Sequence, residues 1–187
     1  MAIATVFRTN THTAVQVPHW ALAFYLRHWP LVAGICLVPA TQRFVSQLWG
    51  SNLSAGASTA LEVLAELARL LLVAVVVRVA ILTDDRLRPL HAGEALARVK
   101  AFTRTHWPSL GVQCLLLGAA VVAFDVFPER VVTRWIPDSA QPLYWAVLLA
   151  VKNLTVIAFT MIWLVGVLRQ MLLHTPGQRS VVDPSLP

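Results

Sequence analysis

The chain has 187 residues, 57% of them hydrophobic and 13% charged, with a formal net charge of +6 and a mean hydropathy of +0.67. Soluble domains carry about a quarter charged residues, so the composition points to an integral membrane protein and argues against a soluble enzyme. The basic residues sit at the ends of apolar runs instead of in a dense stripe, which argues against a nucleic-acid interface and makes them topology signals.

Residues 1–16 contain Arg8, Asn10, Thr11, His12 and Thr13. That is a polar stretch without the early apolar core of a secretory signal, and it reads as an irregular or peripheral cytoplasmic arm. Pro18 suits the first turn of a helix. The segment His19 to His28 is apolar and aromatic with a polar end, and it introduces a motif that occurs twice. Ala23-Phe24, His28-Trp29-Pro30 and Cys36-Leu37 return as Ala101-Phe102, His106-Trp107-Pro108 and Cys114-Leu115, each residue 78 positions from its twin. A weaker match follows at an offset of 83, pairing Arg69 with Lys152, Leu71 with Leu154, Arg86 with Arg169 and His91 with His174. Duplication explains this better than chance among Leu and Val. The copies run over 17–93 and 94–174.

The twin of His19 to His28 settles how that segment lies. Between Glu94 and His106 stand Arg98, Lys100 and Arg104, too many charges for a span, so both segments read as interfacial amphipathic helices. His-Trp-Pro is then an interfacial elbow in each copy: His28, Trp29, Pro30 and His106, Trp107, Pro108. Its Trp lies at headgroup level and its Pro in the first turn of the span.

The first span is Pro30 to Trp49, with Pro39 as a candidate kink; a rival span, Trp20 to Thr41, would bury Arg27 and His28. A Gly, Ser and Asn loop over 50–59 leads to a second span, Ala60 to Leu82. Its Asn52-Leu53-Ser54 matches a glycosylation acceptor, a pattern frequent by chance. A charged connection over 83–93 follows, then a third span from Trp107 to Phe127, a loop over 128–142 and a fourth span from Leu143 to Leu168. About 20 apolar residues cross a hydrocarbon core of about 30 Å. The Pro, Gly and Ser content of 175–187 reads as a disordered tail. The expected fold is therefore all-α: a polytopic membrane protein with four transmembrane helices arranged as two elbow-plus-hairpin repeats. With both units entering from one side, the repeats are parallel and related by an axis near the membrane normal.

Arg8, Arg27, Arg86, Arg88, Arg98, Lys100, Arg104, Arg169 and Arg179 fall on one side of this layout, and only Arg130 and Arg134 on the other. The rule that positive loops stay inside makes both termini cytoplasmic. The thirteen Arg against two Lys, with abundant Ala, Val and Leu, fit a GC-rich bacterial genome and hence an inner membrane.

Charges inside spans are candidate functional groups. Glu62, Glu66 and Arg69 share a helix face by their spacing. With Arg43, Asp125 and Lys152 they form a neutral set of six in the outer half of the membrane. The set reads foremost as a structural ion-pair network, and otherwise as a proton relay or headgroup site. Arg78 points to the opposite face from Arg69 and either snorkels to the headgroups or meets a partner subunit. Cys36 and Cys114 read as small buried hydrophobes. His91 and His174 read as residues at helix C-termini, where the dipole favours a cation. No catalytic residue, cofactor motif or metal-ligand set is legible.

Three functions follow in order. The first is a non-catalytic accessory subunit or assembly factor of a larger transporter or respiratory complex. The second is a small stand-alone transporter or lipid-binding protein using the outer charge cluster. The weakest is a membrane enzyme acting on lipid headgroups. The topology is testable in a background lacking Cys36 and Cys114: Ala55→Cys should react with an impermeant thiol reagent in intact cells and Ala95→Cys should not. The reverse pattern overturns the orientation.

Overall fold

The computed structural model describes residues 2–174, with side chains from Ala14 onward, and the described residues are mostly helical with no strand. Three helical stretches, Trp29–Asn52, Ala92–Trp135 and Asp138–Leu173, are long and apolar enough to cross a membrane. The expected tail over 175–187 lies outside the described residues.

The first helix, α1, runs Ala2–Arg27. The arm expected to be irregular is therefore helical, and Pro18 lies inside the helix instead of opening it. The reason is tertiary. Ala14, Val17, Ala21 and Phe24 are buried at a spacing that makes one helical stripe, and α1 packs on α7 and α4. The segment expected to lie on the membrane surface thus spends one face on protein.

α2 (Trp29–Trp49) follows after one non-helical residue, His28, with φ −112° and ψ 22°, and it contains Pro39. A short 3-10 turn, Gly50–Asn52, leads to α3 (Ala55–Val77), whose N-cap Ser54 accepts a hydrogen bond from the Ala57 N–H. The Ser of the glycosylation-like triplet is therefore a capping residue, and the loop is shorter than the expected 50–59. α3 continues as a π turn, Arg78–Leu82. It is long enough to span, yet every 18-residue stretch of it carries Glu66, Arg69 and a third charge from Glu62 or Arg78.

α4 (Ala92–Val121) is interrupted at His106, with φ −118° and ψ 26°. Pro30 and Pro108 each lack the N–H that would bond four residues back, and their rings crowd that carbonyl. In both places the chain yields at the His two residues earlier, with nearly the same dihedrals. His91 is the N-cap of α4, so the expectation that it sits at a helix C-terminus is corrected; the turn after α3 carries the chain past that helix's end before it reaches His91. His174 is the C-cap of α7, as expected.

A π turn, Val122–Val126, and α5 (Phe127–Arg130) extend α4. After two short 3-10 turns, α6 (Gln141–Lys152), a π turn (Asn153–Ile157) and α7 (Ala158–Leu173) form one long helix. This helix is the spine. α2 packs on α6 and on α3, while α1, α3 and α4 pack on α7. The core, with Val32, Leu72, Val76 and Ile162 fully buried, fills the space between them. Cys36 is buried but Cys114 is exposed. The two positions have unlike surroundings because α2 is more buried than the span part of α4.

Backbone approach between α1 and α7 depends on Gly166. A Cβ there would lie 2.8 Å from Trp20 Cε3 and Cζ3 and 3.0 Å from Val17 Cγ1. Gly166→Val should overpack this crossing by about 1–3 kcal/mol and lower the melting temperature in detergent. Trp20→Ala should relieve part of that loss, so the double variant should melt above the sum of the single effects. Additive melting would show that Trp20 and Gly166 do not define the contact.

Candidate functional site

Two polar centres sit on the spine, one toward each end. In the outer centre, named for the proposed orientation, Lys152 is the buried hub, with a side chain 6% exposed. It pairs with Asp125, and its Nζ donates to Glu129 Oε1 at 2.6 Å. Asp125 lies in the π turn that extends α4 and Glu129 in α5. Lys152 therefore ties the end of α4's extension to the spine. Next to it, Asn153 accepts a hydrogen bond at 3.0 Å from Arg69 Nη2, and Arg69 also pairs with Glu66 on its own helix. Asn153 in turn donates to the Leu149 carbonyl at 2.8 Å.

The six intramembrane charges picked out from the sequence thus divide. Lys152 and Asp125 meet across helices. Arg69 reaches the spine but finds a neutral amide there, and its acidic partner Glu66 is exposed. Glu62 is exposed and Arg43 half-buried, and among the described residues neither makes an ion pair. A single six-member network does not form among the described residues. Glu129 and Asn153 complete the centre. The sequence signals that could have found them are their positions: Asn153 beside the singled-out Lys152, and Glu129 one helical turn after Asp125.

The inner centre is Arg169. Its Nη2 donates to Asp84 Oδ2 at 2.6 Å and its Nε to the Ala80 carbonyl at 3.1 Å. Its guanidinium carbon lies 5.6 Å from the centre of a Trp20 ring, within cation–π range. Ala80 is in the π turn that ends α3 and Asp84 in the turn after it, so one side chain gathers α1, α3 and α7. The Asp84 carboxyl is held below its ordinary value, first by the Arg86 backbone N–H, which donates to Oδ1 at 3.0 Å, and then by Arg169, with burial opposing both. Reading Arg169 only as a topology marker missed this role. Its repeat twin Arg86 is exposed and contributes a backbone N–H instead.

Around the second elbow, Phe102, His106 and His174 form a ring cluster. His106 stacks on Phe102 at 4.9 Å between ring centres, and His174 meets His106 edge-on at 4.9 Å. The first elbow has a simpler version, with His28 and Phe24 ring centres 4.3 Å apart and His28 Nδ1 3.0 Å from the Phe24 carbonyl oxygen. Trp29 and Trp107 are exposed. Pro30 and Pro108 stand in the first turns after the two His breaks. Arg98 donates to the Leu172 carbonyl at 2.9 Å and pairs with Glu94, which binds the amphipathic start of α4 to the end of α7. Arg78 is exposed and makes no ion pair among the described residues. No group of three or more His, Cys, Asp or Glu suited to a metal ion occurs among the described residues. The chain matches no protein-family model, no curated protein and no solved structure.

Lys152 has two acidic partners, so loss of either alone leaves it paired. Asp125→Asn and Glu129→Gln should each lower the melting temperature slightly. The double variant strands a buried lysine and should cost about 3–5 kcal/mol. A double variant that melts like the parent would show that Lys152 needs neither carboxylate.

Proposed function

We propose that the chain is a non-catalytic integral membrane subunit or assembly factor of a larger bacterial inner-membrane complex, of transporter or respiratory type. The observation that carries this reading is the bareness of the third span. Its apolar window, within Ala92–Trp135, is 6% buried, against 28% for the windows in Trp29–Asn52 and Asp138–Leu173. Leu115, Val122 and Phe124 stand exposed along it. Within α3, exposed Arg78 and Glu62 have no ion pair among the described residues. A charge facing lipid at mid-helix costs about 2.5–3.5 kcal/mol, and a neighbouring subunit removes that cost for Arg78.

In this reading α3 is the second of four spans, its charges tolerated because Arg69 is met by Glu66 and Asn153. Both termini and the 83–106 connection face the cytoplasm. The like dihedrals at His28 and His106, and the His–Phe ring contact beside each, support two parallel repeats.

The outer centre favours a second reading, a small transporter or lipid-binding protein. One lysine with two carboxylates leaves one carboxylate available for a proton while the other holds Lys152. That arrangement suits a proton relay.

Purification in mild detergent at native expression separates the two. Stoichiometric membrane partners are expected, and Arg78→Leu should reduce their recovery while leaving the melting temperature of the isolated chain unchanged. A chain that purifies alone at native expression overturns the subunit reading; unchanged recovery by Arg78→Leu removes Arg78 from the docking face.

A further inference from the structure

The two histidines at the second elbow border one cavity. Its volume is about 410 Å³, and Trp20, His106, Arg169, Gln170 and His174 are among its walls. His106 stands at the break in α4 and His174 caps α7, so the two rings come from different helices. Both are half-buried. The junction around them is built: Arg98 donates to the Leu172 carbonyl at 2.9 Å, and Phe102 stacks on His106 while meeting His174 edge-on, with ring centres 5.5 Å apart. Packing thus holds both rings, yet His106 Nδ1 is buried without a partner. A buried polar atom in a folded protein normally has one.

The spacing of the rings fits a shared ion. Their centres are 4.9 Å apart and their planes 77° apart. An imidazole bound at about 2.0–2.1 Å has its centre about 3.2 Å from the metal, so two such rings on one tetrahedral ion have centres roughly 5 Å apart. The walls narrow the choice of ion. No carboxylate or thiol borders the cavity, which disfavours Mg²⁺ and Ca²⁺, whereas imidazole suits Zn²⁺, Cu²⁺ and Ni²⁺. The two guanidiniums nearby are already neutralised, Arg169 by Asp84 and Arg98 by Glu94, so neither repels a cation with a bare charge. Lys100 and Arg104 are exposed, where salt screens them. The first copy has no such pair. There His28 meets Phe24, and His91, the repeat twin of His174, is the exposed N-cap of α4.

We propose that His106 and His174 together bind a late first-row divalent ion, Zn²⁺ in the first instance, through one nitrogen of each ring. Two protein ligands make an open site, and water from the cavity completes the coordination. A water occupies about 30 Å³ of liquid volume, so the cavity has room for an ion and its waters. The neutral imidazole is the ligating form, and it needs no acidic partner. The bound ion clamps the break in α4 to the end of α7, where Arg98 already joins the same two helices. The site is separate from the outer Lys152 centre and does not require the subunit reading.

Zinc titration of the full chain in detergent, without an affinity tag, tests it. Zn²⁺ should bind at one equivalent per chain by calorimetry and raise the melting temperature, and Mg²⁺ should do neither. His106→Ala and His174→Ala should each weaken Zn²⁺ by more than the roughly tenfold that loss of an outer-shell partner costs. Each should also lose the zinc-dependent rise in melting, measured against its own metal-free value. His91→Ala, at an exposed histidine, should bind like the parent. The parent supplies a check that needs no variant: Zn²⁺ should protect His106 and His174 from diethyl pyrocarbonate, read residue by residue by mass spectrometry, and leave His91 reactive. No Zn²⁺ uptake, parent-like uptake by either His106→Ala or His174→Ala, or equal protection of His91 overturns the proposal. Mg²⁺ binding as tightly as Zn²⁺ overturns the assignment to imidazole ligands.

Discussion

The inner half of the bundle depends on the Arg169 guanidinium. It reaches a carbonyl and a carboxylate at the end of α3 and lies against Trp20 of α1, while standing on α7. Gly166 makes the arrangement possible, because its missing Cβ lets Trp20 lie flat on α7, within reach of Arg169 one helical turn on. Remove the charge and the Ala80 carbonyl, Asp84 and the indole lose their common partner at once.

The same logic explains the π turns. Backbone groups within a membrane must be satisfied inside the protein, and a π turn shifts the hydrogen-bonding pattern and leaves carbonyls in need of partners. In α3 the freed carbonyl of Ala80 takes Arg169, and in the spine that of Leu154 takes the Tyr25 hydroxyl. The remaining π turn carries Asp125 to Lys152. Each irregular stretch is thus tied to a polar contact with another helix. These are the places where the bundle spends its few hydrogen-bonding side chains.

This economy leaves an uneven molecule. α2 packs on α3 and α6, whereas the span part of α4 is more exposed. One tie is the Gln113 amide, which donates to Gln170 at 3.1 Å; the other is Lys152 reaching Asp125 and Glu129. Between the two ties Leu117 packs against the core, while Leu115, Val122 and Phe124 are exposed.

Composition alone determined the class, because hydrophobicity this high with so little charge leaves an apolar bilayer as the natural solvent. The doubled His-Trp-Pro determined where two helices break, since proline removes the same hydrogen bond wherever it stands. Lys152, Asp125 and Arg69 were legible as a polar set because isolated charges in apolar runs are conspicuous. Packing decided the rest. Whether residues before Pro18 are helical depends on α7 offering a face to Val17 and Ala21. Whether Cys36 and its twin Cys114 are buried depends on which neighbours enclose each span. The role of Arg169, written identically in register to Arg86, came from proximity to Asp84 and Trp20, which lie 85 and 149 residues away along the chain. Periodicity reports which residues share a helix face, but not which other helix that face will meet.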